Sequence, residues 1–284
     1  MSAGASGGAT AVVAGAPSSV QDRVAPGPVS VDAAGPGIAA LTLERADKGN
    51  ALSAELVEGL IDAFDRVAAD ESVHTAVLRA RGRHFCTGFD LTGLEGETDA
   101  SLLARFVRIE ILLDQLWRAP VRTVAIGQGR IMGAGADLFA ACDLRLLAPG
   151  ASLRFPGAGF GIVLGTRRLA QRVGEPTALR WVSEGTTIGA DEALSSGLAT
   201  SVLGEDAGSG DLAPDAAPPD AGAALSGMFE PLSVDRATWA ALRAAVRDGA
   251  ADADLAALVR SAARPGLKAR IEAYRARQLG ARAR

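Results

Sequence analysis

Between Gly37 and Leu203, short apolar runs alternate with segments of helical periodicity, and this alternation limits the possible folds more than any other feature of the chain. "GIAALTL" (Gly37–Leu43), "HTAVLRA" (His74–Ala80), "VRTVAI" (Val121–Ile126), "DLRLLA" (Asp143–Ala148), "SLRF" (Ser152–Phe155) and "LATSVL" (Leu198–Leu203) read as strands. Ser53 is suited to cap a helix in which Leu56, Val57, Leu60, Ile61, Phe64 and Val67 form one stripe. Leu102–Trp117 repeats that period and stops near Pro120, and further helices are read at Arg167–Val173, Pro176–Ser183 and Ala190–Ser195. Strands interrupted by helices predict a parallel sheet in an α/β core spanning 37–203.

The flanks read differently. Residues 1–36 are rich in Ala, Gly, Ser and Pro and are expected to be a flexible tail. The apolar run "ATAVVAGAP" within them follows no basic segment, so a secretory signal is not expected. Residues 204–232 read as a linker or mobile loop, and helical periodicity returns over 233–284. With 284 residues and 48% hydrophobic content, the chain has room for a sizeable core. A net charge of −4 gives no reason to expect nucleic acid or an anionic membrane as partner. No apolar run approaches about 20 residues. The two cysteines, Cys86 and Cys142, are too few for a disulfide framework and fit a reducing cytoplasm. With His74 and His84 the only histidines, no histidine-rich metal site is expected.

One stretch stands apart from ordinary helix-forming sequence. In "IMGAGADLFAACD" (Ile131–Asp143), a helix opens on Gly133, Ala134, Gly135 and Ala136 and carries a carboxylate, Asp137, in its first turn. The first N–H groups of a helix lack intrahelical partners and carry the positive end of its dipole. Small residues leave them open to an anion, a phosphate or a carbonyl oxygen. Close helix–sheet packing also requires small residues and is the commoner explanation of such glycines. Gly127, Gly129 and Gly133 are spaced GxGxxxG, one residue longer than a dinucleotide fingerprint, and no acid ends the following strand. "HFCTGFDL" (His84–Leu91) is a second turn of small residues after a strand. Two such turns on one sheet could supply the two N–H donors of an oxyanion hole.

Taken together, "LTLERADKGNALS", "RGRHFCTGFDL" and "GRIMGAGADLFAACDLRL" resemble the crotonase superfamily of enoyl-CoA hydratases and isomerases. The resemblance runs from about Gly37 to Leu203. It implies a crotonase-like spiral of ββα units with a C-terminal helical region, assembled as a homotrimer or a dimer of trimers. It implies an acyl-CoA thioester as partner, with coenzyme A as part of the substrate and no separate cofactor. The thioester oxygen would sit between the N–H groups of Phe89 and Ala134. The CoA side would lie along Lys48, Ala51, Gly88, Phe89, Asp90 and Leu91, with Lys48 near the phosphates. Asp137 matches the first of two hydratase acids, normally Glu. The second acid would follow Pro156, where this chain has Gly157.

Several residues have plainer explanations. A helix N-terminus lowers a carboxyl pKa, so Asp137 is expected to act as a base rather than an acid. Asp90 is expected to stabilise its loop, and Lys48 has the alternative of a solvated turn. Glu110 and Asp114 read as an exposed helical face, and Arg167 and Arg168 as surface charge. Cys86 and His84 lack a third member for thiol catalysis and are expected to be structural. Trp181 reads as core. The functions that follow are an acyl-CoA enzyme of the hydratase/isomerase type with weak hydration, a binding protein of the same fold without turnover, and, on the glycine pattern alone, a nicotinamide-dependent oxidoreductase.

Overall fold

A computed structural model describes residues 27–204, 232–247 and 251–282. The run "ATAVVAGAP" and nearly all of the expected 204–232 linker lie outside the described residues. The first half contains β1 (Val29–Gly35), β2 (Ile38–Leu43), α1 (Ala54–Ala69), β3 (Thr75–Ala80), α2 (Asp99–Arg118), β4 (Arg122–Gly127), β5 (Arg130–Met132) and α3 (Ala134–Ala141). There follow β6 (Leu144–Leu147), β7 (Ser152–Arg154), α4 (Thr166–Val173), α5 (Glu175–Glu184), β8 (Ile188–Gly189), α6 (Ala190–Ser195) and β9 (Ser201–Val202). The C-terminal region forms α7 (Arg236–Arg247), α8 (Ala251–Ala262) and α9 (Leu267–Arg282).

The main sheet has the order β1-β2-β3-β4-β6-β9. From β2 onward every pairing is parallel, while β1 lies antiparallel to β2 with a bulge between Ala33 and Gly35. Each inner strand is followed by a second, short extended piece and then a helix. Leu52 precedes α1, Cys86 and Phe89 precede α2, β5 precedes α3 and β7 precedes the turn into α4. These short pieces pair sideways in parallel: Leu52 with Phe89, Cys86 with Ile131, and β5 with β7. The result is a spiral of ββα units, each turn adding one strand to each of two layers.

Burial explains why the sheet holds this arrangement. All six residues of β2 are buried. Ala39, Leu41 and Leu43 join the stripe of α1 and the apolar face of α2, while Ile38 and Ala40 pack with Val77, Val124 and Ile126 on the opposite face. A strand buried on both faces reads as a continuous apolar run, as "IAALTL" does. Ser53 caps α1 as expected, its hydroxyl oxygen accepting from the Leu56 N–H at 3.1 Å.

Two expectations are corrected. The tail assigned to residues 1–36 overlaps β1, because Val29–Gly35 finds a partner in β2 that its Ala- and Asp-containing sequence does not advertise. The strand before the small-residue helix does not turn directly into it. β5 intervenes, so the Gly127–Gly129–Gly133 spacing spans a strand–turn–strand segment, and the dinucleotide reading loses its structural basis.

The C-terminal helices are tied to the core by arginines. Arg243 of α7, which is 4% exposed, donates to the carbonyls of Leu116, Trp117 and Val121 and pairs with Asp143 at 2.5 Å. Arg247 reaches the same carboxylate at 2.8 Å and lies over the Trp117 ring. Arg172 covers that ring as well and donates to the carbonyls at the end of α3. These guanidinium groups satisfy carbonyls that helix ends leave unpaired. Removing the buried charge with Arg243→Met should lower unfolding free energy by about 3 kcal/mol, read as a drop in denaturant midpoint. An unchanged midpoint would show that α7 is not anchored there.

Candidate active site

The turn from Thr87 to Leu91 and the start of α3 form one site, and hydrogen bonding explains how. The Leu52 N–H donates to the Gly88 carbonyl at 2.7 Å, and the Asp90 N–H donates to the Leu52 carbonyl at 3.1 Å. In this parallel pairing the Phe89 N–H points away from Leu52. Ala134 is the first residue of α3, where no intrahelical acceptor exists. Among the described residues, neither N–H has a backbone acceptor.

Glycines bring the two turns together. Gly88 has φ +96°, and a Cβ there would lie 2.7 Å from the Met132 carbonyl oxygen. At Gly135 a Cβ would lie 2.5 Å from the Cys86 carbonyl oxygen and 2.7 Å from its sulfur. Both explanations of the small residues therefore hold: Gly135 allows close packing, and the residue beside it offers a free donor.

Neighbouring side chains fix the first turn. Asn50, at φ 53°, donates to the carbonyls of Arg81 and His84 and accepts from the Arg45 N–H. Asp90 accepts from the Thr92 N–H and pairs with Arg45 at 3.0 Å, the loop-holding role expected of it. Arg105 of α2 donates to the Asp90 carbonyl at 3.0 Å, and its guanidinium lies 4.1 Å from the centre of the Phe89 ring. Sequence reading missed Arg105, since nothing in the period of α2 separates it from a solvated arginine.

A cavity of about 130 Å³ opens on these donors. Gly88, Phe89, Leu91, Ala134 and Asp137 line it, as does Gly157. Lys48, Ala51 and Asp90 are outside that lining; Lys48 is exposed and Ala51 buried. The rest of the wall is apolar and includes Phe106, Phe160, Ile271 and Tyr274, with Thr87 and Thr166 adding hydroxyls. Ile271 and Tyr274 belong to α9, so the chain's own C-terminal helix covers its cavity.

Asp137 is the single carboxyl among the described residues lining this cavity. It is 6% exposed, and among the described residues no hydrogen-bond donor pairs with its carboxyl. A Cβ at Gly165, the residue before α4, would run into that carboxyl, which places it against a second helix N-terminus. The expected lowering of its pKa is nonetheless corrected. Burial pushes the Asp137 carboxyl well above its ordinary value, the nearby negative Glu110 adds to this, and Arg168 opposes it. A helix terminus contributes only about 0.3–1 kcal/mol, less than the cost of ionising a buried, unpartnered carboxyl.

Glu110 and Arg168 are also corrected. Instead of lying on surfaces they form a buried pair behind Asp137, bonded at 2.6 and 3.1 Å with side chains 3% and 1% exposed. Asp114 joins it directly at Arg168, and Arg167 extends it through Asp254 of α8, both partly exposed. The readings of Cys86, His84 and Trp181 stand. Burial raises the Cys86 thiol to about 12, so it is no nucleophile at neutral pH. His84 accepts from the Arg130 N–H, and its pKa is lowered by burial, then by Arg130 and Arg83. Trp181 is fully buried.

Gly157 lies in a short 3-10 segment that also lines the cavity. A Cβ there would meet nothing closer than the Ile162 carbonyl oxygen at 3.6 Å, so the position has room for a side chain. Among the described residues no group of three or more His, Cys, Asp or Glu is placed to hold a metal ion. No described helix is long and apolar enough to cross a membrane.

Comparison with known proteins agrees with this geometry. The family model described as enoyl-CoA hydratase/isomerase matches residues 33–209. A solved Bordetella parapertussis protein named for the same hydratase/isomerase class is 41% identical, with a TM-score of 0.75, covering 88% of this chain and 98% of its own. A Bacillus subtilis protein named "Probable enoyl-CoA hydratase" is 34% identical over 167 residues, 57% of this chain and 64% of its own length. The mouse ethylmalonyl-CoA decarboxylase is 32% identical over 171 residues, 59% of this chain and 53% of its own. The chain thus spans between about half and two thirds of these two curated relatives. It belongs to the enoyl-CoA hydratase/isomerase family, within the crotonase superfamily.

The raised Asp137 pKa has a consequence for stability. A carboxyl whose folded pKa exceeds its unfolded value of about 3.9 favours folding below that unfolded value, and the contribution is lost as pH rises through the folded one. Asp137→Asn removes this loss. Its Tm relative to the unmodified protein should therefore climb from pH 4 upward and level off above the folded pKa. An offset that does not change with pH, or one that falls, would contradict the buried protonated carboxyl.

Proposed function

We propose that this chain acts on acyl-CoA thioesters, holding the carbonyl between the Phe89 and Ala134 N–H groups and using Asp137 as its single proton-transfer group. What carries the reading is one apolar cavity containing two unpaired backbone donors and one carboxyl. Charge that builds on a thioester oxygen, as an enolate forms at the α-carbon, would meet donors already in place. A carboxyl kept protonated by burial returns a proton to that carbon. Coenzyme A enters as part of the substrate, with Lys48, Ala51, Gly88, Asp90 and Leu91 on its side of the turn, and no other cofactor is needed. A homotrimer or dimer of trimers in the cytoplasm remains part of the proposal, the assembly to be read by light scattering.

Hydration of an enoyl thioester needs a base for water and an acid for the α-carbon. One carboxyl is a poor provision for both. A second reading, decarboxylation of a 2-carboxyacyl-CoA, matches a single protonated acid better. Loss of CO2 leaves an enolate, and one proton delivered to its α-carbon completes the reaction. The relatedness to a protein named ethylmalonyl-CoA decarboxylase supports this reading. A silent acyl-CoA binder is distinguished from both by turnover of ethylmalonyl-CoA in D2O, followed by NMR on the butyryl-CoA released. Its α-carbon should carry deuterium, and turnover should fall about 10²–10⁴-fold in Asp137→Asn. Absence of turnover with both ethylmalonyl-CoA and crotonyl-CoA would leave the binder.

Two variants test the parts. Proline is accepted at the first position of a helix, so Ala134→Pro removes one donor and leaves α3 formed. It should slow turnover about 10²–10³-fold, and unchanged turnover in the folded variant would remove Ala134 from the site. Crotonyl-CoA hydration should be weak, and Gly157→Glu should raise it, since position 157 has room. Robust hydration by the unmodified protein would show that another acid has taken that role.

A further inference from the structure

The cavity is set apart by its rings. Aromatic residues make up only 4% of the chain, eight of them Phe and one Tyr. Four of those Phe and that Tyr line this one cavity. Phe89 stacks on Phe106 with centroids 4.4 Å apart and planes 16° apart. Phe106 meets Phe160 at 6.4 Å, and Phe160 meets Tyr274 at 5.3 Å. The ladder therefore runs from the oxyanion turn to α9.

The rings differ in burial: Phe106 is 2% exposed and belongs to the core. Phe85 and Phe139, edge to face at 6.3 Å, are fully buried. Phe89, Phe160 and Tyr274 are only half-buried and line the cavity, Phe89 with its ring faces covered by Phe106 and Arg105. Tyr274 also closes it: at Gly159 a Cβ would lie 2.8 Å from the tyrosine ring, and Arg277 of α9 donates to the Gly159 carbonyl at 3.0 Å.

We propose that the acyl group taken here carries a six-membered aromatic ring, seated against Phe160 and Tyr274. The proposal rests on the acyl-CoA reading and narrows it. The room fits: about 130 Å³ is available, and an apolar cavity of about 150 Å³ takes benzene. A flat ring presents its face or edge to the ring wall, whereas an alkyl chain gains only from area removed from water.

Calorimetric titration of the full chain with phenylacetyl-CoA, hexanoyl-CoA, dodecanoyl-CoA and free CoA tests it. Phenylacetyl-CoA should bind about tenfold tighter than either alkyl thioester. Tyr274→Leu and Phe160→Leu, each checked for folding by circular dichroism, should reduce that preference to threefold or less and leave free CoA unaffected. If Tyr274→Leu does not fold, Phe160→Leu and the ranking in the unmodified protein decide. Equal or tighter binding of an alkyl thioester overturns the ring proposal and leaves the acyl-CoA reading standing. A ring preference untouched in the folded variants also overturns it. If no thioester binds better than free CoA, the acyl-CoA reading fails and the ring proposal with it.

Discussion

The site depends on a close approach between two stretches of backbone that no side chain could share. Gly88 faces the Met132 carbonyl, and Gly135 faces the carbonyl and sulfur of Cys86. The approach is set up by the sideways pairing of the short strands, Leu52 with Phe89 and Cys86 with Ile131. That pairing uses the amides and carbonyls on either side of Phe89 and leaves its own N–H over. The neighbouring turn leaves over the first N–H of α3 for a different reason, the geometry of a helix start. Two unrelated backbone rules thus produce two donors side by side, with no polar side chain spent on either.

The carboxyl beside them is governed by competition between local and distant effects. Two helix N-termini favour ionised Asp137, but each acts weakly and only within a turn. Burial and the negative Glu110 act against ionisation, and Arg168 offsets only part of this because it is already bonded to Glu110. The outcome is a carboxyl whose pKa is pushed upward by its apolar surroundings. Such a group donates where charge appears, which suits proton return to an enolate carbon better than activation of water.

Local signals in the sequence suffice to place the inner strands of the main sheet, α1, α2 and the two small-residue turns, because each is written in contiguous residues. They also singled out Asp137, while Phe89 and Ala134 as donors came from the resemblance to the crotonase superfamily. What they missed depends on distant partners. β5 is three residues long and is recognisable only through β7. Glu110 and Arg168 look like surface charges until α2 and α4 are brought together, and Tyr274 reaches the cavity from the last described helix. The sign of the Asp137 pKa shift is hidden for the same reason: the helix start is visible in sequence, and the burial is not.

The central claim is that a thioester carbonyl is polarised by the Phe89 and Ala134 N–H groups. Isotope-edited infrared spectroscopy of a thioester carrying 13C at its carbonyl reads this directly. On binding, the carbonyl stretch should move to lower frequency than in water, and Ala134→Pro should reverse much of that shift while the thioester remains bound. A bound thioester whose stretch stays at its solution frequency, or moves alike in the variant, would contradict the account.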